Sequence, residues 1–328
     1  MASQSHFYIP TSIVLTTLTL LKVHTWKVAN AEGLSSDIEP NTTITNNDDG
    51  VHQDVLEQLS LMDYALFGVF ILLALELLNY LVKVCGTNMK NKRVPVRGKH
   101  LDELSSRDYL FISLNKVATP PFVYCYLRYM YYEPNAVWGL GDISWRNTLL
   151  PLPLMFIIYD FFYTIMHWAL HVKSIYGYIH KHHHHQKAPS RAQVDAVNVH
   201  PIEFFLGEYD HLFTAYIWCS VFGQSLHIAA VMLFLGLGGA MASLNHTRFD
   251  VVVSFFSLTL YDTKAHDVHH RIPQSNYGQY IMFWDIIFGS YRAYNENDRV
   301  NPKAQLDEKS GKSMEYMERL NSSGVKSD

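Results

Sequence analysis

Cysteine is scarce in this chain, with three in 328 residues. Cys85, Cys125 and Cys219 sit inside or beside apolar blocks with no CxxC spacing, which excludes a disulfide framework and a thiolate zinc knuckle. An excess of basic charge is missing too. Lys and Arg number 26 against 30 Asp and Glu, a net charge of -4, and no basic stripe guides the chain to a polyanion, so nucleic acid is excluded as a partner. Internal repeats are absent. What the chain does have is apolar residues gathered in blocks, 48% of the total, and 18 histidines.

The blocks set a topology. "FYIPTSIVLTTLTLLKV" (Phe7–Val23) is short and Thr-rich, has no Lys or Arg ahead of it, and is followed by Ala29-Asn30-Ala31. Residues 1–31 therefore read either as a signal peptide or as an uncleaved anchor. Residues 32–60 are polar and carry the sequon Asn41-Thr42-Thr43, expected in the lumen. "YALFGVFILLALELLNYLV" (Tyr64–Val82) has the roughly 20 residues that cross a hydrocarbon core. Lys83, Lys90, Lys92, Arg93, Arg97 and Lys99 behind it place its far end in the cytosol. Its polar intruders, Glu76 and Asn79, are expected to face other helices.

The block Tyr109–Met130, broken by Pro120-Pro121, returns the chain to the lumen, and Thr148–His171 crosses again and ends on histidines. After a polar stretch over 180–200, two apolar pieces, Phe204–Phe222 and Ile228–Ser243, are joined by Gly223-Gln224-Ser225. They predict a helical hairpin with both ends on one side of the membrane. "GLGGAMAS" in its second arm supplies small residues for close helix packing. A last apolar stretch, Val251–Leu260, leads to "AHDVHH". The expected fold is all-α, a polytopic membrane helical bundle of about four to five segments with a cytosolic histidine-rich metal-binding cap.

Spacing gives the histidines their meaning. "YIHKHHHHQKAP" packs five histidines into six positions, and such a run alone is weak evidence for a metal. Three clusters have helical spacing: His167 and His171; His180, His183 and His184; His266, His269 and His270. Residues at i, i+3 and i+4 share a helical face, so each cluster can aim its imidazoles at a common point. All three fall at segment ends on the cytosolic side, where His246 also arrives. Eight ligands, or nine with His246, exceed the four of a tetrahedral zinc and suit two metal ions. Imidazole accepts iron, zinc, copper or nickel; an all-histidine set without thiolates, in apolar surroundings, favours oxygen chemistry on iron. Asp160, seven residues before His167 on the same face, is a candidate to orient a ligand imidazole, with Asp267 and Glu203 as lesser candidates. His182 and His185 lie off the ligand face, as supporting groups or solvated ones. His200 reads either as a ligand or as a histidine packed ahead of Pro201. His6, His24, His52, His100, His211 and His227 lack the spacing and are taken as structural, while Trp284 and Asp285 fall in an interfacial aromatic run.

Together, "HWALH", "HKHHHHQKAP", "NVHPIEF", "NHTRFD", "HDVHH" and "NYGQYIMFWDIIFGS" resemble the fatty acid hydroxylase/sterol desaturase superfamily of membrane-bound diiron oxygenases, from about Tyr159 to Tyr291. The resemblance puts the family's three histidine boxes on the three clusters above and its proline on Pro189. It implies two non-haem irons, molecular oxygen, electrons from NAD(P)H through a separate cytochrome b5 and its reductase, and a lipid substrate hydroxylated or desaturated at an unactivated carbon. It also implies the endoplasmic reticulum membrane, with the active site facing the cytosol. Membrane helices over 61–147, a catalytic region over 148–295 and a polar cytosolic tail over 296–328 follow from it. Some relatives carry a second histidine four residues after the position of His246, where this chain has Asp250, so the ligand count in that corner stays open. "NYGQY" resembles the sterol C-5 desaturases, and a sterol is the leading substrate, with a fatty acid or sphingolipid as the alternative.

Other readings meet specific obstacles. Acyl-CoA desaturases keep their first two boxes farther apart than His171 and His180. A metal transporter needs ligands at mid-membrane on broken helices, whereas these lie at segment ends. An inactive lipid-binding scaffold would be separated by its metal content. The topology makes Asn41 luminal and glycosylated and leaves the Asn245-His246-Thr247 sequon cytosolic and unmodified. An endoglycosidase mobility shift is expected to vanish on Asn41→Gln; a shift that instead depends on Asn245 would invert the topology.

Overall fold

The computed structural model describes residues 59–87, 93–255, 258–307 and 309–323. The expected signal peptide or anchor and the Asn41 sequon lie outside the described residues. The chain is mostly helical. Helix α1 (Leu61–Thr87) is followed by α2 (Ser106–Tyr132), α3 (Pro151–Leu170), α4 (Pro201–Tyr216) and α5 (Ile228–Asn245). Among the described residues three helical stretches are long and apolar enough to cross a membrane, namely Leu61–Gly86, Trp145–Leu170 and Ile228–Asn245, which makes this a multi-pass membrane protein.

Local chemistry sets the helix starts. Ser105 caps α2 in a reciprocal box with Asp108, and Pro201 opens α4, where a missing N–H is not felt. His227 caps α5 by accepting from the Ala229 N–H. Pro120 and Pro121 lie within α2, which stays helical around them because its neighbours hold it. The polar intruders of α1 fare differently: Asn79 is buried, whereas Glu76 accepts from Lys116 of α2 but stays half exposed.

The five helices close a ring of contacts. α1 packs on α2, α2 on α4, α4 on α3, α3 on α5, and α5 back on α1. The two arms of the expected hairpin, α4 and α5, therefore each lean on α3. Between them runs an aromatic core that includes Tyr126, Tyr159, Phe234 and Tyr280, all nearly inaccessible. The small residues of α5 allow this: a Cβ on Gly238 would stand 2.9 Å from the Tyr280 hydroxyl, and one on Gly239 3.1 Å from Leu78 of α1.

Two short sheets qualify the all-helical expectation. Strand β1 (Ala136–Val137) pairs in parallel with β2 (Leu226–His227), tying the α2–α3 connection to the start of α5. The apolar stretch after α5 forms an antiparallel hairpin, β3 (Val252–Phe255) with β4 (Leu258–Asp262), as its β-branched valines favour. It delivers the chain into α6 (Thr263–Arg271), which Asp262 caps through the Lys264 N–H.

The polar C-terminal region packs on the segment after α1. Arg97 donates to the Asn295 and Glu296 carbonyls, Gln305 bonds both backbone groups of Val96, and Ser313 donates to Asp102. At its centre Arg248 is buried, bonded to Asp267 at 2.7 Å and to the carbonyls of Val94 and Pro95. Arg248→Met would leave Asp267 buried with Arg271 alone. A loss of about 2 kcal/mol is expected, because Asp267 keeps its desolvation cost and loses one of its two guanidinium partners. The check is the thermal midpoint of detergent-solubilised protein; an unchanged midpoint would contradict it.

Candidate metal centre

Two groups of buried or nearly buried histidines meet where α3, the 180–185 turn, α5 and α6 converge. One group is His167, His171, His180, His184 and His269; the other is His183, His246, His266 and His270. Within each group one ring nitrogen per residue lies within 4.8 Å of all the others. All eight histidines singled out by spacing stand in these groups, together with His246. The boxes divide between them, since His180 and His184 face the first group and His183 the second, while α6 sends His269 to the first and His266 and His270 to the second. The middle box is a 3-10 turn, His180–His185, set between α3 and α4.

Hydrogen bonds at the far ring nitrogens fix which atoms face inward. Nδ1–H of His167 donates to the Tyr277 carbonyl at 2.7 Å, of His269 to Ser275, of His246 to Ala242 and of His270 to Gln186. A carbonyl only accepts, so the proton sits on Nδ1 and Nε2 keeps a bare lone pair. His180 donates in the same way to the Glu203 carboxylate at 2.8 Å. The Nε2 atoms of His167 and His180 then face each other at 3.0 Å with no hydrogen between them. Nε2 of His269 is buried with no partner at all. Lone pairs converging like this repel unless a cation stands among them, so the residues present fit a pair of metal ions.

Protonation does not relieve the crowding. Burial pushes His180 down to about 3, and burial together with neighbouring imidazoles holds His183, His184, His266, His269 and His270 well below the usual histidine range. The rings are therefore neutral, as ligands must be. Nine imidazoles without a thiolate or a carboxylate among them are consistent with a di-metal site, and with iron.

The groups that aim the rings were only partly anticipated. Asp160 does not touch an imidazole. Its carboxylate accepts the backbone N–H groups of Gln279, Tyr280 and Ile281, because it points at the loop after α6 and not along its own helix to His167. Asp285 holds the same loop by the N–H groups of Tyr277 and Gly278. Together they present the Ser275 and Tyr277 carbonyls to His269 and His167. Glu203 takes the role that Asp160 was expected to fill, while Asp267 binds Arg248 and Arg271. The loop acceptors and Gln186 carried no signal beyond the "NYGQY" and "HHQ" strings, since any residue type has a carbonyl. His200 caps α4 through the Ile202 N–H, His182 bonds Asn198, His185 is exposed, and Asp250 pairs with Lys264 outside both groups.

A model of the fatty acid hydroxylase family matches residues 152–290. A Dictyostelium discoideum protein named as a candidate methylsterol monooxygenase is 30% identical over 188 residues, covering 53% of this chain and 67% of its own. The chain belongs to the fatty acid hydroxylase superfamily. Methylsterol monooxygenase 1 of Rattus norvegicus is 30% identical over 167 residues, covering 46% of this chain and 51% of the rat protein. The Delta(7)-sterol-C5(6)-desaturase of Nicotiana tabacum is 26% identical over 162 residues, covering 48% of this chain and 56% of its own. The chain thus spans about half the length of these two relatives. No solved structure matches it. The matched stretch runs from the start of α3 to the end of the Asp285 loop, and so holds all nine histidines and the loop that orients them.

Neutral burial has a pH consequence. An unfolded histidine titrates near 6.5 and His180 only near 3, so between those values the unfolded chain binds protons that the folded chain refuses. The stability is fully present above about pH 6.5 and is lost as pH falls towards 3. The metal-free protein is expected to lose thermal stability steadily from pH 7 to pH 5. A flat profile there would mean that the rings are hydrated and not buried.

Proposed function

We propose that this chain is a membrane-bound diiron oxygenase that hydroxylates or desaturates a lipid, with a sterol as the leading substrate. One observation supports it above the rest: nine neutral imidazoles, at least five of them locked with Nε2 inward, converge in two groups at the ends of apolar helices. In this reading His167, His171, His180, His184 and His269 hold one iron, and His183, His246, His266 and His270 hold the other. Bound iron would supply the chemistry of the step, reductive activation of oxygen and removal of hydrogen from a C–H bond.

The chain's own part is orientation and exclusion. The Tyr277, Ser275, Ala242 and Gln186 carbonyls and the Glu203 carboxylate fix each ring and raise its basicity. The aromatic ring of Tyr277 closes one side, with its centroid 5.3 Å from that of His171. Burial of the histidines keeps bulk water from the reacting carbon. The names of the relatives support a sterol, since both a methylsterol monooxygenase and a Delta(7)-sterol desaturase are among them. Electrons would come from NAD(P)H through cytochrome b5 and its reductase, in the endoplasmic reticulum membrane.

The test compares membranes carrying the chain or its His183→Ala variant, supplied with reductant and a panel of sterols, fatty acids and sphingolipids, by mass spectrometry. A lipid that gains one oxygen or loses two hydrogens only with the unmutated chain is expected, and its mass separates hydroxylation from desaturation. Identical extracts, from membranes in which bound iron and reduction are verified, would favour the inactive scaffold.

A further inference from the structure

The two histidine groups are held from outside by different means. In the first, His167, His180 and His269 each bond an acceptor from another part of the chain, namely Tyr277, Glu203 and Ser275. In the second, His246 bonds Ala242 of its own helix, and the acceptor for His270 is the Gln186 carbonyl, 2.8 Å from its Nδ1. Gln186 lies just past the 180–185 turn, where no helix or strand fixes the direction of its carbonyl.

A strap, residues 94–103 between α1 and α2, supplies the hold. At one end the Val94 N–H donates to the Arg248 carbonyl at 2.8 Å, and the Val94 carbonyl accepts from the Arg248 guanidinium at 3.1 Å. Arg248 stands two residues after His246 and bonds Asp267, the neighbour of His266. At the other end the Leu101 N–H donates to the side-chain oxygen of Gln186 at 2.9 Å, and the Leu101 carbonyl accepts from Arg191 at 2.7 Å. His100 adds a third link: its Nδ1–H goes to Asp102, so its Nε2 accepts the Ser190 hydroxyl at 2.9 Å. Between these ends the strap runs close to the loop, since a Cβ on Gly98 would stand 2.9 Å from that of Lys187. The strap is itself clamped. Val96 of the strap, Ala188 of the loop and Ala304 of the C-terminal region form a small buried core apart from the main one, with Leu306 packed on it. Gln305 bonds both backbone groups of Val96, at 3.1 and 2.7 Å, and the Asp102 carboxylate accepts the N–H and the hydroxyl of Ser313, each at 2.6 Å.

We propose that Gln186 is a positioning residue for the four-histidine metal position alone, and that the strap and the C-terminal region set the affinity of that position through it. The inference rests on the two-metal reading and makes the two positions unequal. Without the strap the Gln186 carbonyl is free to turn, and the His270 ring turns with it. The acceptors of the five-histidine group are held elsewhere, the Ser275 and Tyr277 carbonyls by the Asp160 and Asp285 loop contacts and Glu203 by α4. They do not depend on the strap.

The test measures metal binding, apart from turnover. The full chain in nanodiscs, stripped of metal, is titrated with cobalt(II), whose visible bands report each ion as it binds. The unmutated chain is expected to take up two ions. Gln186→Leu removes the oxygen that accepts from Leu101 and keeps the backbone carbonyl; it should weaken one ion about tenfold, the low end of what disturbing a ligand's outer partner costs, and leave the other unchanged. Asp102→Ala with Gln305→Ala, which unfastens the strap from the C-terminal region, should weaken the same ion. Two backgrounds identify it. Gln186→Leu is expected to act where His171→Ala/His180→Ala leaves the four-histidine group, and to have no effect where His183→Ala/His266→Ala leaves the five-histidine group. Equal weakening of both ions overturns the proposal, since it marks a general loss of structure, as does weakening confined to the five-histidine group. The two readings fail separately. A chain that binds no cobalt with all nine histidines in place sinks the two-metal reading and the inference with it, whereas two ions whose affinities ignore Gln186 sink the inference alone.

Discussion

Everything in the centre depends on hydrogen bonds made on the side of the histidines that faces away from it. An imidazole offers one proton and one lone pair, and a carbonyl or carboxylate on Nδ1 commits the lone pair to Nε2. His167, His180, His246, His269 and His270 are all committed in this way. Once the rings are neutral and aimed, their mutual repulsion makes the space between them a place for cations. The fold is organised to supply those acceptors at the right positions.

The supply line can be followed outward. The Tyr277 and Ser275 carbonyls sit on an irregular loop, and such backbone is tolerated only where its own N–H groups are satisfied. Asp160 and Asp285 satisfy them, one from α3 and one from the helix that follows the loop. Asn276, held at positive φ, bonds the Ala265 and Arg292 carbonyls and closes the loop against α6. Two carboxylates that touch no imidazole thereby set the orientation of two, those of His167 and His269. On the opposite side Asn115 of α2 donates to the Val197 and Val199 carbonyls, which steadies the chain between the 180–185 turn and α4. Long membrane helices serve as the frame, and short polar contacts at their ends serve as the adjusters.

The same division explains how much could be read in advance. The apolar blocks marked α1, α3 and α5, because a membrane-length run of apolar residues has few other uses. Spacing marked eight of the nine histidines and position at a helix end marked His246, but the second and third boxes divide between the two groups instead of converging on one point. Asp160 was noticed for the right reason, a carboxylate on the histidine face of a helix, yet its partner turned out to be a loop 119 residues away. The hairpin of α4 and α5 was recognisable from its turn, but not the insertion of both arms against α3. Nor did the valines after α5 announce a β-hairpin, since a short apolar run is compatible with helix or strand.

By itself the sequence determined the composition of the centre and its place at helix ends, because those depend on periodicity and hydropathy, which are local properties. Tertiary structure alone decided the division of nine histidines into five and four. It also decided the choice of Glu203 over Asp160 as an imidazole's partner. The reason is physical: which lone pairs converge depends on contacts between segments tens of residues apart. No local pattern encodes a backbone carbonyl's direction.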